Sequence, residues 1–151
     1  MLAIFTNHVL WIALVSWFVA QAAKVVLILV CERRLDVGAF VTSGGMPSSH
    51  SATVSGLATA LAIMEGLDSV AFAIAVILAV VVMYDAAGVR RDVSHQAVIL
   101  NRIVKEIMVR RTFGEVERDL RELIGHSPFQ VIVGSAIGIA IALIWLKVLL
   151  A

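Results

Sequence analysis

Residues 9–31 form an apolar run of 23 residues broken by a single charge, Lys24. Wound as a helix at about 1.5 Å per residue, the run reaches roughly 34 Å, enough to cross a hydrocarbon core ~30 Å thick. Three further apolar stretches follow. One covers residues 51–64, and one begins at Ser69, stays apolar to Tyr84 and allows a helical tail to Val89. The last starts near Phe129 and runs to the C-terminus, interrupted only by Lys147. The chain is 61% hydrophobic and 15% charged, where soluble domains lie near 45–50% and about 25%. These features predict an all-α integral membrane protein with about four transmembrane helices, built as a single membrane-embedded domain over residues 1–151. They exclude a disordered chain, a disulfide scaffold (Cys31 is the sole cysteine) and a water-soluble nucleic-acid binder. Residues 1–6 carry no basic side chain and no small-residue cleavage site follows, so the first run is read as a retained span.

The second stretch, 14 residues or about 21 Å, is short for a span. Ala52, Gly56 and Ala60 line one face of it, which suits close helix approach in lipid. A short buried helix packed among its neighbours is expected rather than a re-entrant loop. Gly134 and Gly138 repeat the device in the fourth stretch, either for packing within the chain or for a homo-oligomer contact.

Between the third and fourth stretches lies a polar segment. In it Val93, Ala97, Leu100, Val104, Ile107 and Met108 recur at three- and four-residue steps, opposite Arg102, Lys105, Glu106 and Arg110. This pattern predicts an amphipathic helix on the membrane surface, followed by a short helix over 115–124 closed by Gly125 and Pro128. Four spans would place residues 32–50 and 90–128 on one side. Ten of the 12 basic residues lie there, so the positive-inside rule predicts that these loops face the cytoplasm of a bacterial-type inner membrane.

The local signal with most chemistry is Thr42-Ser43-Gly44-Gly45-Met46-Pro47-Ser48-Ser49-His50-Ser51-Ala52. A glycine pair leads into hydroxyl residues at a helix start, where backbone N–H groups and the helix dipole favour an anion. Ser48 and Ser49 add donors, and His50 can exchange a proton near neutral pH. The blander reading makes a serine the N-cap and His50 a surface residue. Asp85 closes an apolar span just before Arg90 and Arg91, which can donate in pairs to phosphate oxygens. Lys24 lies two turns inside the first span, with Arg33 and Arg34 beyond its end. His95 and His126 share this side, and His8 lies at the other. No cluster has metal-ligand spacing, and neither a Walker loop nor a Gly-x-Ser-x-Gly elbow occurs. The sum is an anion site for a lipid phosphate head group, with the tail between helices.

At Pro47-Ser48-Ser49-His50 the chain resembles the type 2 phosphatidic acid phosphatase superfamily. The longer set resembles its divergent branch, described as acid phosphatase/vanadium-dependent haloperoxidase-related. That set comprises residues 44–52, Glu65-Gly66 with Asp68-Ser69, residues 85–91, Gln96-Ala97 with Leu100-Asn101, and Gly125-His126-Ser127-Pro128. The resemblance implies metal-free phosphoryl transfer without a cofactor. A lysine and arginines hold the phosphate, one histidine protonates the leaving group, and another, oriented by an aspartate, attacks phosphorus. Lys24 with Arg33 or Arg34 would take the first motif's place, Ser48, Ser49 and His50 the second's, and Arg90 or Arg91 that of the third motif's arginine.

The pattern departs from the main superfamily. Its first motif is a lysine, six residues and Arg-Pro, whereas eight residues separate Lys24 from Arg33 and no proline follows. Its third motif spaces arginine and histidine by five residues, with an aspartate four positions later. In this chain four residues separate Arg90 from His95, and Ile99 stands at the aspartate position. His95, His126 with Asp85 as its orienting carboxylate, and His50 itself are the rival nucleophiles. The expected function is a membrane lipid-phosphate phosphatase acting on prenyl phosphates, prenyl diphosphates or phosphatidate. A non-catalytic lipid-phosphate-binding or transport protein is the alternative, and a purely structural packing subunit ranks last.

Overall fold

The computed structural model describes residues 4–40, 44–88 and 127–150, together with helical positions at 96, 98–100 and 103. Four long helices account for most of it: α1 (His8–Glu32), α2 (Ser49–Met64), α3 (Val70–Ala87) and α4 (Pro128–Leu150). A 3-10 turn, Val37–Phe40, lies between α1 and α2. No strand occurs among the described residues. Helices α1, α3 and α4 are each long and apolar enough to cross a membrane, and α2, at 16 residues, is not. The all-helical membrane class is as expected from sequence, and so is the short second helix packed among three longer ones.

Short polar residues set the helix ends. Asn7 caps α1 by accepting from the Leu10 N–H at 3.0 Å, and Ser69 caps α3 by accepting from the Phe72 N–H at 3.1 Å. Gly66, at φ 92°, allows the tight turn between α2 and α3. At α4, Ser127 and Gln130 satisfy each other. The Gln130 N–H donates to Ser127 Oγ at 3.3 Å, and the Ser127 N–H donates to Gln130 Oε1 at 3.0 Å. This is a capping box with Pro128 at the first helical position, where a missing N–H costs nothing.

Helix α2 occupies the middle of the bundle and touches each of the other three. Its small-residue face does what the sequence suggested. Gly56 lies against Ser16 of α1 and the Gly138 carbonyl of α4, while Ala60 joins Ile12, Ala142 and Leu146 in the buried core. Gly134 abuts the Ser48 backbone and Gly138 the Ala52 backbone. Of the two uses expected for these glycines, packing within the chain is the one seen. The outer faces of α1, α3 and α4 are covered with exposed valine, leucine and isoleucine, as helices facing lipid require.

The contacts also fix the register. Ser16 meets Gly56, Ile12 meets Ala60, and Lys24 meets Gly45. Helix α2 therefore runs antiparallel to α1 and begins level with Lys24, eight residues before α1 ends at Glu32, or about 12 Å below that end. The intervening chain reaches deeper still. The Phe40 ring packs edge-on against Trp17 and Phe18, with centroids at 5.7 and 5.5 Å, on the order of 20 Å from Glu32 along α1. The segment expected to be a plain surface loop thus doubles back beside α1, and α2 is short because its start is sunk into the bundle.

Within the polar segment, Gln96, residues 98–100 and Ile103 are helical, with Val98, Ile99, Leu100 and Ile103 exposed. This agrees with the surface helix expected there at those positions. The short helix expected over 115–124 lies outside the described residues.

Candidate functional site

The start of α2 is polar, yet it is buried. Ser48, Ser49 and Ser51 are within 1% of complete burial. Ser48 is the N-cap: its Oγ accepts from the Ser51 N–H at 3.4 Å and from the Ser51 hydroxyl at 2.9 Å. The Ser48 N–H donates to the Gln130 carbonyl at 3.1 Å, which ties the cap to the first turn of α4. The Ser49 carbonyl accepts from Thr53 Oγ1 at 2.7 Å. Pro47, after a cis Met46–Pro47 bond, is fully buried. The capping reading of Ser48 thus holds, while the site it caps is interior rather than superficial.

Lys24 faces this cap from α1 and is only 2% exposed. Gly45 lies over its stem. A β-carbon at Gly45 would stand 3.6 to 3.9 Å from Lys24 Cδ, Cγ and Cε, and the glycine sits at φ 81°. The positive φ suits glycine there, while the distances are those of ordinary contact. The glycine loop thus closes over the alkyl stem, and by register Lys24 lies level with the start of α2. First-turn N–H groups and the positive dipole end point outward from that start. A buried lysine, buried hydroxyls and a helix N-terminus are the donor types an oxyanion site uses, which makes this the candidate pocket.

His50 is half-buried in the first turn of α2, and Asp85 is half-buried in the last turn of α3, at the same end of the bundle. Arg33 and Arg34 are not drawn into the pocket. Arg33 terminates α1 at φ 52°, and Arg34 is exposed, pairing with Asp36 at 3.2 Å and Glu32 at 3.8 Å. Arg90, Arg91, His95 and His126 lie outside the described residues. In sequence, Arg90 follows the α3 cap Gly88 by two positions, and His126 immediately precedes Ser127. His8, expected at the opposite side, is there: its Nδ1 accepts from Trp145 Nε1 at 3.5 Å, near the C-terminal end of α4.

Three contributors escape a reading of the sequence for chemistry alone. Ser51 lies within the glycine–serine motif, but its hydroxyl bond to Ser48 depends on the cap forming. Gln130 is legible as the fourth residue of Ser-x-x-Gln. Gln21, 4% exposed, is a polar residue inside a span, one turn before Lys24 on the same face. That position alone should mark it.

The profile of the Divergent PAP2 family matches residues 5–141. An uncharacterized membrane protein of Bacillus subtilis (strain 168), YuiD, is 38% identical over 148 residues, covering 92% of this chain and 94% of the relative. No solved structure matches the chain. The sequence elements that carried the resemblance therefore lie inside the matched region, and the chain is a membrane protein of the Divergent PAP2 family.

Proposed function

We propose that this protein is a lipid-phosphate phosphatase that works by histidine-based phosphoryl transfer without a metal, on prenyl phosphates, prenyl diphosphates or phosphatidate. The observation that carries the reading is the buried Lys24 lying under Gly45 beside the start of α2. It supports a phosphoryl group held within the bundle while an apolar tail stays in lipid. In this reading Lys24, Ser48, Ser49 and the α2 N-terminus stabilise charge on the phosphoryl oxygens, with Arg90 or Arg91 completing the set. A histidine nitrogen attacks phosphorus as the bond to the leaving oxygen breaks, and His50 delivers a proton to that oxygen. Water then hydrolyses the phosphohistidine. His126, with Asp85 as its orienting carboxylate, and His95 are the candidates for the attacking group.

The test is phosphate release by detergent-purified protein from each of the three substrates with chelator present. His50→Ala, His95→Ala and His126→Ala are run alongside. We expect His50→Ala and one further histidine variant to lose at least about 100-fold in rate. Substrate binding without release by wild-type protein would instead assign the chain a binding or transport role. Release unchanged in His50→Ala would overturn the role of His50 as the proton donor.

The orientation follows from the loop charges: the motif end faces the cytoplasm. Cys31, exposed and one residue from the end of α1, is a built-in reporter. An impermeant thiol reagent should label it in inside-out vesicles and spare it in intact cells. Labelling of intact cells would reverse the orientation.

A further inference from the structure

Among the buried side-chain nitrogen and oxygen atoms of the described residues, one has no hydrogen-bond partner: Gln21 Oε1. Leaving an amide oxygen unsatisfied in an apolar interior is unfavourable, and native interiors rarely do so without a reason. Gln21 belongs to the buried stripe of α1 that also holds Ser16, Ala20 and Lys24. Ser16 meets Gly56 and Lys24 meets Gly45, so the antiparallel register sets Gln21 level with Ser51, in the first turn of α2. An acceptor without a partner thus lies, by register, at the level of the proposed donors Lys24, Ser48, Ser49 and the α2 N-terminus.

We infer that Gln21 is a ligand-contacting residue of this pocket and that it accepts a hydrogen bond from a protonated oxygen of the bound anion. The inference rests on the phosphate reading above and sharpens it. A terminal phosphate carries an ionisable proton near neutral pH, with its second pKa near 6, and so presents an O–H to Gln21 Oε1 while its other oxygens face the donors. Sulfate, equal in shape but without that proton, places a bare oxygen against the amide oxygen. Gln21 therefore selects terminal phosphate over sulfate, and over a phosphodiester, which also lacks the O–H.

The probes are inorganic phosphate and inorganic sulfate, titrated into the detergent-purified full chain at pH 6.5 by calorimetry. Wild-type protein, Gln21→Met and Gln21→Leu are compared, and the thermal midpoint of each ligand-free protein is recorded. We expect wild-type protein to prefer phosphate at least tenfold. Both variants should lose most of that preference through weaker phosphate binding, with ligand-free midpoints equal to or above wild type because an unsatisfied polar group has been removed. Variants that keep the wild-type ratio of the two affinities would overturn the role of Gln21 alone. A wild-type protein that binds phosphate but does not discriminate would do the same. A wild-type protein that binds neither anion would overturn the phosphate reading together with it.

Discussion

Replacing Gly138 by alanine tests whether the α2–α4 contact holds the site together. A β-carbon there would overlap the Ala52 carbonyl oxygen and stand 2.8 Å from the Gly56 nitrogen and 2.9 Å from the Ala52 carbonyl carbon, where ordinary contact begins at 3.4 Å. All three atoms are backbone, so no side chain can swing aside. Helix α4 must retreat by on the order of 1 Å, which also stretches the 3.1 Å bond from the Ser48 N–H to Gln130. Overpacking of this kind costs about 1–3 kcal/mol, and a weakened backbone hydrogen bond adds about 1 kcal/mol. Against this, alanine is a better helix former than glycine by about 1 kcal/mol. Sterics win, for a net loss of about 2 kcal/mol.

The assay is unfolding in detergent followed by far-ultraviolet circular dichroism, with the mass of the particle measured in parallel. Gly38→Ala is the control, since the nearest neighbour of its β-carbon is the movable Asp36 carboxylate at 3.1 Å; we expect a change within about 0.5 kcal/mol there. A Gly138→Ala protein as stable as wild type would refute the steric argument. Unchanged unfolding with a smaller particle mass would show instead that the glycine serves a contact between copies.

Ser48→Ala removes the α2 cap and the partner of the Ser51 hydroxyl, and should lower stability in the same assay by about 1–2 kcal/mol. Phe40→Ala removes two edge-on ring contacts, each worth about 0.5–1.5 kcal/mol. Hydrogen exchange should accelerate about tenfold or more across residues 33–40 while α3 keeps its protection, and unchanged exchange would refute the anchoring of that segment. Arg34→Ala should alter phosphate affinity less than about threefold, because the guanidinium is exposed and already paired. Raising ionic strength from about 0.05 to about 0.5 M should also weaken binding by less than about threefold, as a buried site is screened little. A steep salt dependence would return the site to the surface arginines.

The helices are legible because their signals are local. A 23-residue apolar run needs no context to be read as a span, and the observed α1 exceeds it by one residue at each end. The pairing of α2 with α4 is foreshadowed by Gly56, Gly134 and Gly138, since a row of small residues in an apolar helix has little use except close approach. Which partner the row meets is a question of three-dimensional register, and no periodicity answers that. The Ser-x-x-Gln capping box at Ser127 is equally readable, but a proline soon after Gly125 signals the end of one helix as well as the start of another. In the folded chain Pro128 is the first residue of α4.

The depth of the site is hidden for a different reason. Assigning loops to sides by charge treats each polar segment as lying outside the slab. The chain between Arg33 and Ser48 opens with Arg33, Arg34 and Asp36 and also holds Leu35, Ala39 and Phe40, and the Phe40 contact with Trp17 and Phe18 shows that it descends. Sinking the start of α2 by about 12 Å changes the electrostatics of whatever it faces. Coulomb interactions strengthen as the effective dielectric falls from about 80 towards about 20, so one lysine and one helix terminus can do there what several exposed arginines do in water. Arg34 meanwhile pairs with its own neighbours Asp36 and Glu32. On the proposed reading, what the sequence spacing presents as a broken motif is a site whose binding strength comes from burial.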